Sequence, residues 1–301
     1  LDYGQIGADY PRLIYLSLKG FLPGLYENRI ALDEVVQMMS GLAYMTGPPG
    51  QPLRAGASVV DIMGGTFGVV AVQAALIERQ KTGQGQLVKS ALFESAMFLM
   101  GQHLAYAAQS DEPVPPMPAR VSAWAIYDQF RTKDDHMVFL GITSDKHWLR
   151  FCNIFGCDDL GADATLATNN QRIEARARLL PRLAATIAGL DLAAVTEKAI
   201  AADLPFAPIA RPEALFNDPH LNDGGYLLET IMPNGEKGRL PNLPISLDGR
   251  IGNLTRNPPV IGADTGPCLE SLGFSAAQIK ELYADGIIGL ADDAIEAETN
   301  A

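Results

Sequence analysis

The chain has 301 residues, enough for one large domain or two ordinary ones, and its 48% apolar and 19% charged residues are the texture of a folded globular protein rather than a disordered one. The formal net charge of −12 argues against nucleic acid as the main partner, because phosphate binding wants a basic surface; a local basic pocket for a phosphorylated ligand is compatible with it. Three cysteines, Cys152, Cys157 and Cys268, form neither a pairing framework nor a zinc spacing, which points to reduced thiols in a cytoplasmic protein.

PRLIYLSLKGF (11–21) reads as a strand, apolar and β-branched between Pro11 and Gly20. Residues 31–45 place Leu32, Val35, Val36, Met39, Leu42 and Ala43 at helical spacing, and TGPPGQP then breaks regular structure. Ala57 to Val60 suits a short buried strand, and Phe67 to Lys81 a helix closed by Gly83. QLVKSAL (86–92) is a second strand and residues 93–109 a further helix. Strand, helix, strand, helix at this spacing predicts an α/β unit with a parallel sheet. The longest apolar run, Phe67 to Ile77, falls short of the eighteen or so residues of a membrane span. No signal peptide is visible, and the first residue is Leu rather than Met, so the natural start is expected upstream.

DEPVPPMPAR (111–120) reads as a linker, after which the texture changes. WAIYDQFRT and MVFLGIT alternate around KDDH as a β-hairpin would. Helical segments run from Asp145 to Ala202, with Pro181 as a kink or boundary. From Gly224 the chain is again strand-like, with Pro233-Asn234-Gly235 the strongest hairpin signal and Ser275 a good N-cap for a helix near the end. The acidic tail after Asp292 suits a solvated or frayed end.

Asp61 is the candidate that stands out, a lone carboxylate between the apolar run and Gly64-Gly65. It reads either as a helix N-cap or as a nucleophile or base at a strand-to-helix turn, where backbone N–H groups stabilise negative charge; the two readings are compatible. MGGTFG departs from the dinucleotide glycine pattern and lacks a Walker lysine, while KTGQGQ falls at a helix end. His103, His136, His147 and His220 are scattered, with no strong metal spacing, and Ser17, Ser90 and Ser95 lack a nucleophile-elbow context. Asp33 and Glu34 are adjacent, so on a helix at most one of them faces a ligand.

In order along the chain, PRLIYLSLKGF, ALDEVVQMMSGLAYMTG, the Asp61 segment with ALIERQKTGQGQLVKSALFESA, FAPIARPEALFNDPHL, GRLPNLPISL and NPPVIGADTGPCLESLGFSAAQIKEL resemble the class III CoA-transferase family, which includes carnitine and formyl-CoA transferases and the α-methylacyl-CoA racemases. The resemblance implies an α/β fold: a Rossmann-like large domain with a parallel sheet plus a smaller α+β domain, in an interlocked homodimer. On this chain it divides as large domain 1–110, linker 111–122, small domain 123–220 and a return to the large domain over 221–301. It also implies a preceding segment with the first strands and many coenzyme A contacts.

The family's catalytic carboxylate falls on Asp61, which implies covalent transfer through a mixed anhydride and an aspartyl-CoA thioester, with Gly64 and Gly65 as oxyanion donors. Lys19, Gly20, Asp33, Glu34 and Gln37 are expected near coenzyme A or the acyl chain. The substrates implied are an acyl-CoA and a small carboxylic acid, with no metal, no tightly bound cofactor and no membrane or nucleic-acid partner. Trp124, Tyr127 and Trp148 either line the acyl end or pack in the core. The racemases carry a histidine base where this chain has Leu32, which counts against racemisation with Asp61 as base; a non-catalytic acyl-CoA-binding subunit is a further alternative. The glycine-rich lid of formyl-CoA transferase is also replaced, by PVPPMPAR.

Overall fold

The alternating side chains of YLSLK build strand β1 (Tyr15–Lys19), which pairs in parallel with β2 (Leu87–Ala91), Tyr15 opposite Leu87 and Lys19 opposite Ala91. The structure is a computed structural model and describes residues 2–120 and 122–291. Its contacts divide the chain into two units, one ending at Ala123 and one starting at Trp124. Parallel strands need a long crossover. Here it runs through α1 (Asp33–Met39), α2 (Leu42–Thr46) and α3 (Val59–Thr82), and β2 leads on into α4 (Leu92–Leu99) and α5 (Gly101–Ala107). This is the α/β order that the sequence predicted.

Three details differ from the sequence reading. No strand forms at 57–60: Val59 and Val60 are the first turn of α3, and Val60 is buried against Val36, Leu92 and Ala96. A short apolar run fits a buried strand and a helix end equally well, and tertiary packing decides. The helix expected over 31–45 breaks at Gly41, whose φ of +86° is left-handed and free of steric cost only for glycine. The helix expected over 93–109 is interrupted at Met100.

With 24 residues, α3 is far longer than the apolar run suggested, and it is long and apolar enough to cross a bilayer by length and composition alone. In this fold it lies on the β1–β2 pair. A Cβ on Gly64 would stand 2.9 Å from Leu92 and 3.4 Å from Leu18, and one on Gly68 3.2 Å from Leu16. These small residues let helix and strands approach closely. Ile62, Val69, Val70 and Ile77 of the same helix stay exposed.

In the second unit β3 (Ile126–Arg131) and β4 (Met137–Ile142) form the expected hairpin, with β5 (Phe206–Pro208) antiparallel on the other side of β4. Helices α6 (Asp145–Phe155), α7 (Arg176–Ala188) and α8 (Leu192–Ala201) supply Trp148, Phe151, Leu183, Ile187 and Val195 to its core. Pro181 sits inside α7 without ending it; the break comes earlier, at Ala175. The second hairpin, β6 (Leu227–Ile231) and β7 (Lys237–Pro241), turns at Pro233-Asn234-Gly235 as the sequence predicted. Ser275 caps α9 (Ala276–Ala284) through Gln278 in a capping box. The acidic tail from Asp292 lies outside the described residues.

Candidate active site

The direction of α3 follows from what its glycines touch. Gly64 packs by Leu18 and Leu92, near the carboxyl ends of the strands, and Gly68 packs nearest to Leu16, further back along β1. The helix therefore runs antiparallel to β1 and β2, and Asp61, almost one turn before Gly64, lies at their carboxyl ends. In open α/β sheets that is where ligands bind.

Asp61 is the third residue of α3 and exposed. It is not the N-cap; Ser58 holds that position, and its side chain makes no capping bond. The capping is done from a distance. Asp33, buried at the start of α1, accepts through Oδ2 from Val60 N–H at 2.9 Å and from Asp61 N–H at 3.3 Å. Its Oδ1 accepts from Gln37 Nε2 at 2.5 Å, and Gln37 Oε1 accepts from Ala55 N–H at 2.8 Å. A carboxylate near the helix start also meets the positive end of the helix dipole.

The remaining N–H groups of the first turn are used as well, Val59 donating to Ala57 O at 2.7 Å and Ile62 to Ser58 O at 3.0 Å. Gly64 and Gly65 lie inside the helix rather than in a turn. Their N–H groups face carbonyls four residues back. The expectation that these glycines form a donor-rich turn is thus corrected, because the segment is helical throughout. Among the described residues no hydrogen bond or ion pair engages the Asp61 carboxylate.

The other residues singled out from sequence fall into separate settings. Glu34 points outward and pairs with Arg54, both side chains well exposed, while its neighbour Asp33 is buried, so the two carboxylates diverge as helical spacing requires. Gln37 is fully buried in the Asp33 chain. Lys19 ends β1 at 3.9 Å from Glu27, which lies 3.5 Å from Lys89. Gly20 has no room for a side chain, since a Cβ there would stand 2.2 Å from that of Ala31.

Trp148 is a core residue, only 1% exposed, whereas Trp124 and Tyr127 are exposed, with their rings 5.0 Å apart. Among the described residues no cluster of His, Cys, Asp and Glu is arranged to hold a metal. Burial, with Cys157 adding to it, pushes the Cys152 thiol up to about 12, so it is no nucleophile at neutral pH. Sequence reasoning missed that Asp33 caps the α3 N-terminus and that Gln37 bonds to it; the capped N–H groups stand 27 and 28 residues away from Asp33, beyond any local pattern.

Comparison with known proteins identifies the family. Residues 1–265 match the family model described as CoA-transferase family III. The chain is 31% identical to an acyl-CoA transferase of Fusarium pseudograminearum, over 96% of this chain and 64% of that protein. It is 30% identical to a succinate–glutarate CoA-transferase of Agrobacterium fabrum, over 78% of this chain and 59% of that protein. Among solved structures it resembles a CaiB/BaiF family protein from Brucella suis, with a TM-score of 0.76 and 27% identity over 90% of this chain and 71% of that one. The chain thus spans about 64% and 59% of the length of these two sequence relatives. With an α/β fold like that of the Brucella suis protein and a family model covering most of its length, the chain belongs to CoA-transferase family III.

Proposed function

We propose that the protein moves coenzyme A from an acyl-CoA to a carboxylic acid, with Asp61 as the covalent nucleophile. The observation that carries this reading is the setting of Asp61: exposed, its carboxylate unbonded among the described residues, in the first turn of α3 at the carboxyl ends of β1 and β2. A carboxylate that spends none of its lone pairs on its own helix is ready to attack when a thioester is held against it.

In the first step Asp61 attacks the thioester carbonyl, the C–S bond breaks, and the coenzyme A thiolate leaves a mixed anhydride. The thiolate then attacks the Asp61 carbonyl, releasing the first acid and forming an aspartyl-CoA thioester. An incoming carboxylate attacks that thioester and forms a second anhydride, expelling the thiolate. Attack of the thiolate on the new acyl carbonyl delivers the product thioester and regenerates the Asp61 carboxylate. No redox partner and no net proton is required. The first-turn N–H groups of α3 are already engaged, so donors for each oxyanion come from elsewhere in the assembled protein. The working assembly is a homodimer in the cytoplasm, and the Agrobacterium relative's name makes succinate and glutarate, one of them supplied as its coenzyme A thioester, the first pair to try. Leu32, exposed where the racemases carry a base, offers no proton-transfer group and supports transfer over racemisation.

The test is intact mass spectrometry of the protein incubated with a panel of acyl-CoAs, succinyl-CoA first, with and without hydroxylamine. A coenzyme A adduct, or a hydroxamate at Asp61 that is absent from Asp61→Ala, is the expected result. Exchange of the substrate α-proton in heavy water without any adduct would replace transfer by racemisation.

A further inference from the structure

We infer that Asp33 is a positioning residue for Asp61, and that Gln37 fixes the orientation in which it works. This inference rests on Asp61 being the nucleophile. A carboxylate at the third position of a helix can fold back onto the free N–H groups of its own first turn. Here Asp33 occupies two of them, those of Val60 and Asp61. The occupation holds the backbone of Asp61 in place and leaves its side chain unbonded, which is the state that attack on a thioester requires.

The hydrogen bonds run in one direction that no side-chain flip can reverse. Ala55 N–H is a donor, so the atom of Gln37 facing it is the carbonyl oxygen, at 2.8 Å. The Gln37 amide nitrogen must then donate to Asp33 Oδ1, at 2.5 Å. At the other end the N–H groups of Val60 and Asp61 are donors too, so Oδ2 accepts. Position 33 must therefore accept on both sides, which a carboxylate does and an amide cannot. Asp33→Asn leaves two donors facing each other, either at Gln37 or, if Gln37 turns over, at Ala55. Both sites are buried or half-buried, where an unmet donor is costly.

The same logic specifies a repair. In Asp33→Asn/Gln37→Glu, the new carboxylate at position 37 accepts both from Ala55 N–H and from the amide nitrogen at position 33. The amide oxygen at position 33 accepts from Val60 and Asp61. Every bond is restored, and the negative charge moves by one residue along the chain of bonds. A residue that only stabilised the fold would not link this exchange to the rate of the chemical step.

The experiment compares wild type, Asp33→Asn, the double variant and Asp61→Ala in the intact protein. It measures kcat and KM with the acyl-CoA of the panel, succinyl-CoA first, that loads the wild type, together with the hydroxylamine-trapped adduct and thermal unfolding. We expect Asp33→Asn to lose at least about tenfold in kcat with little change in KM, the cost of a slightly misplaced nucleophile. The double variant should return to within about threefold of wild type. Wild-type kcat in Asp33→Asn, or a double variant that folds yet stays as slow as the single one, would overturn the positioning role. If Asp33→Asn does not fold, the double variant decides alone: folded and active supports the inference, folded and inactive or unfolded overturns it. Loading that persists in Asp61→Ala, or a wild type loaded by none of the panel, would sink the Asp61 reading itself, whatever the behaviour of Asp33.

Discussion

The hydroxyl of Ser90 donates to the main-chain carbonyl of Gly64 at 2.8 Å, a buried bond between the second parallel strand and the helix that carries Asp61. It ties α3 to the sheet almost one turn past Asp61. Ser90→Ala removes the donor and leaves the carbonyl with its helical partner, so unfolding by urea should show a loss of about 1 kcal/mol. An unchanged midpoint would mean that glycine packing alone holds the helix.

Gly64 and Gly65 should answer differently to the same substitution. A Cβ at Gly65 meets nothing within 4 Å, whereas one at Gly64 stands 2.9 Å from Leu92. Gly65→Ala gains helix propensity and should stabilise the protein by about 0.5–1 kcal/mol. Gly64→Ala has to displace the Leu92 side chain and should end up about 1 kcal/mol less stable than wild type. Thermal unfolding of the pair separates them; equal gains would show that α3 does not sit this close to Leu92.

The Glu34–Arg54 pair is exposed on both sides, and such pairs contribute little to stability. Glu34→Gln should leave the unfolding free energy within about 0.5 kcal/mol of wild type. A change in KM for acyl-CoA in this variant would then report contact with the ligand rather than damage to the fold. Steady-state kinetics beside a melting curve reads both.

Thiol labelling should find one fast cysteine. Cys268 is exposed, and Cys152 and Cys157 are buried. Because burial raises the Cys152 thiol to about 12, it stays protonated as pH rises through 9, and base should not release its reactivity until the protein unfolds. Iodoacetamide followed by peptide mass spectrometry checks this; native labelling of Cys152 at pH 9 would contradict it.

Arg172 is fully buried, donating to Leu166 O at 2.8 Å, Ala167 O at 2.9 Å and Asp145 at 2.5 Å, with Trp148 under its guanidinium. Arg172→Ala should cost about 3 kcal/mol, because buried carbonyls lose their partner and a cavity opens beside the tryptophan. Denaturant unfolding measures it. Asp145→Asn, at the exposed end of the pair, should cost less.

What could be read from the sequence was local. Gly83 closing α3, Ser275 capping α9 and the turn at Gly235 each depend on a residue acting within a few positions of itself. The start of α3 could not be read that way. Val59 and Val60 suit a strand as well as a helix, and the group that settles the matter, Asp33, comes from another helix. The candidate site was legible in the same uneven manner. Asp61 stood out as an isolated carboxylate whose position left the N-cap and the nucleophile readings open, and family resemblance favoured the nucleophile. Asp33 and Gln37 were expected near coenzyme A or the acyl chain; no local pattern announced that both are buried and hydrogen-bonded to Ala55 and to the first turn of α3.

The one-way run of hydrogen bonds from Ala55 through Gln37 to Asp33 also constrains how such a chain can change over time. Either side chain altered alone sets like against like in a buried place, so a lineage drifting by single steps meets a barrier at both positions. Paired exchange is the open route, and positions 33 and 37 should therefore vary together or stay fixed together.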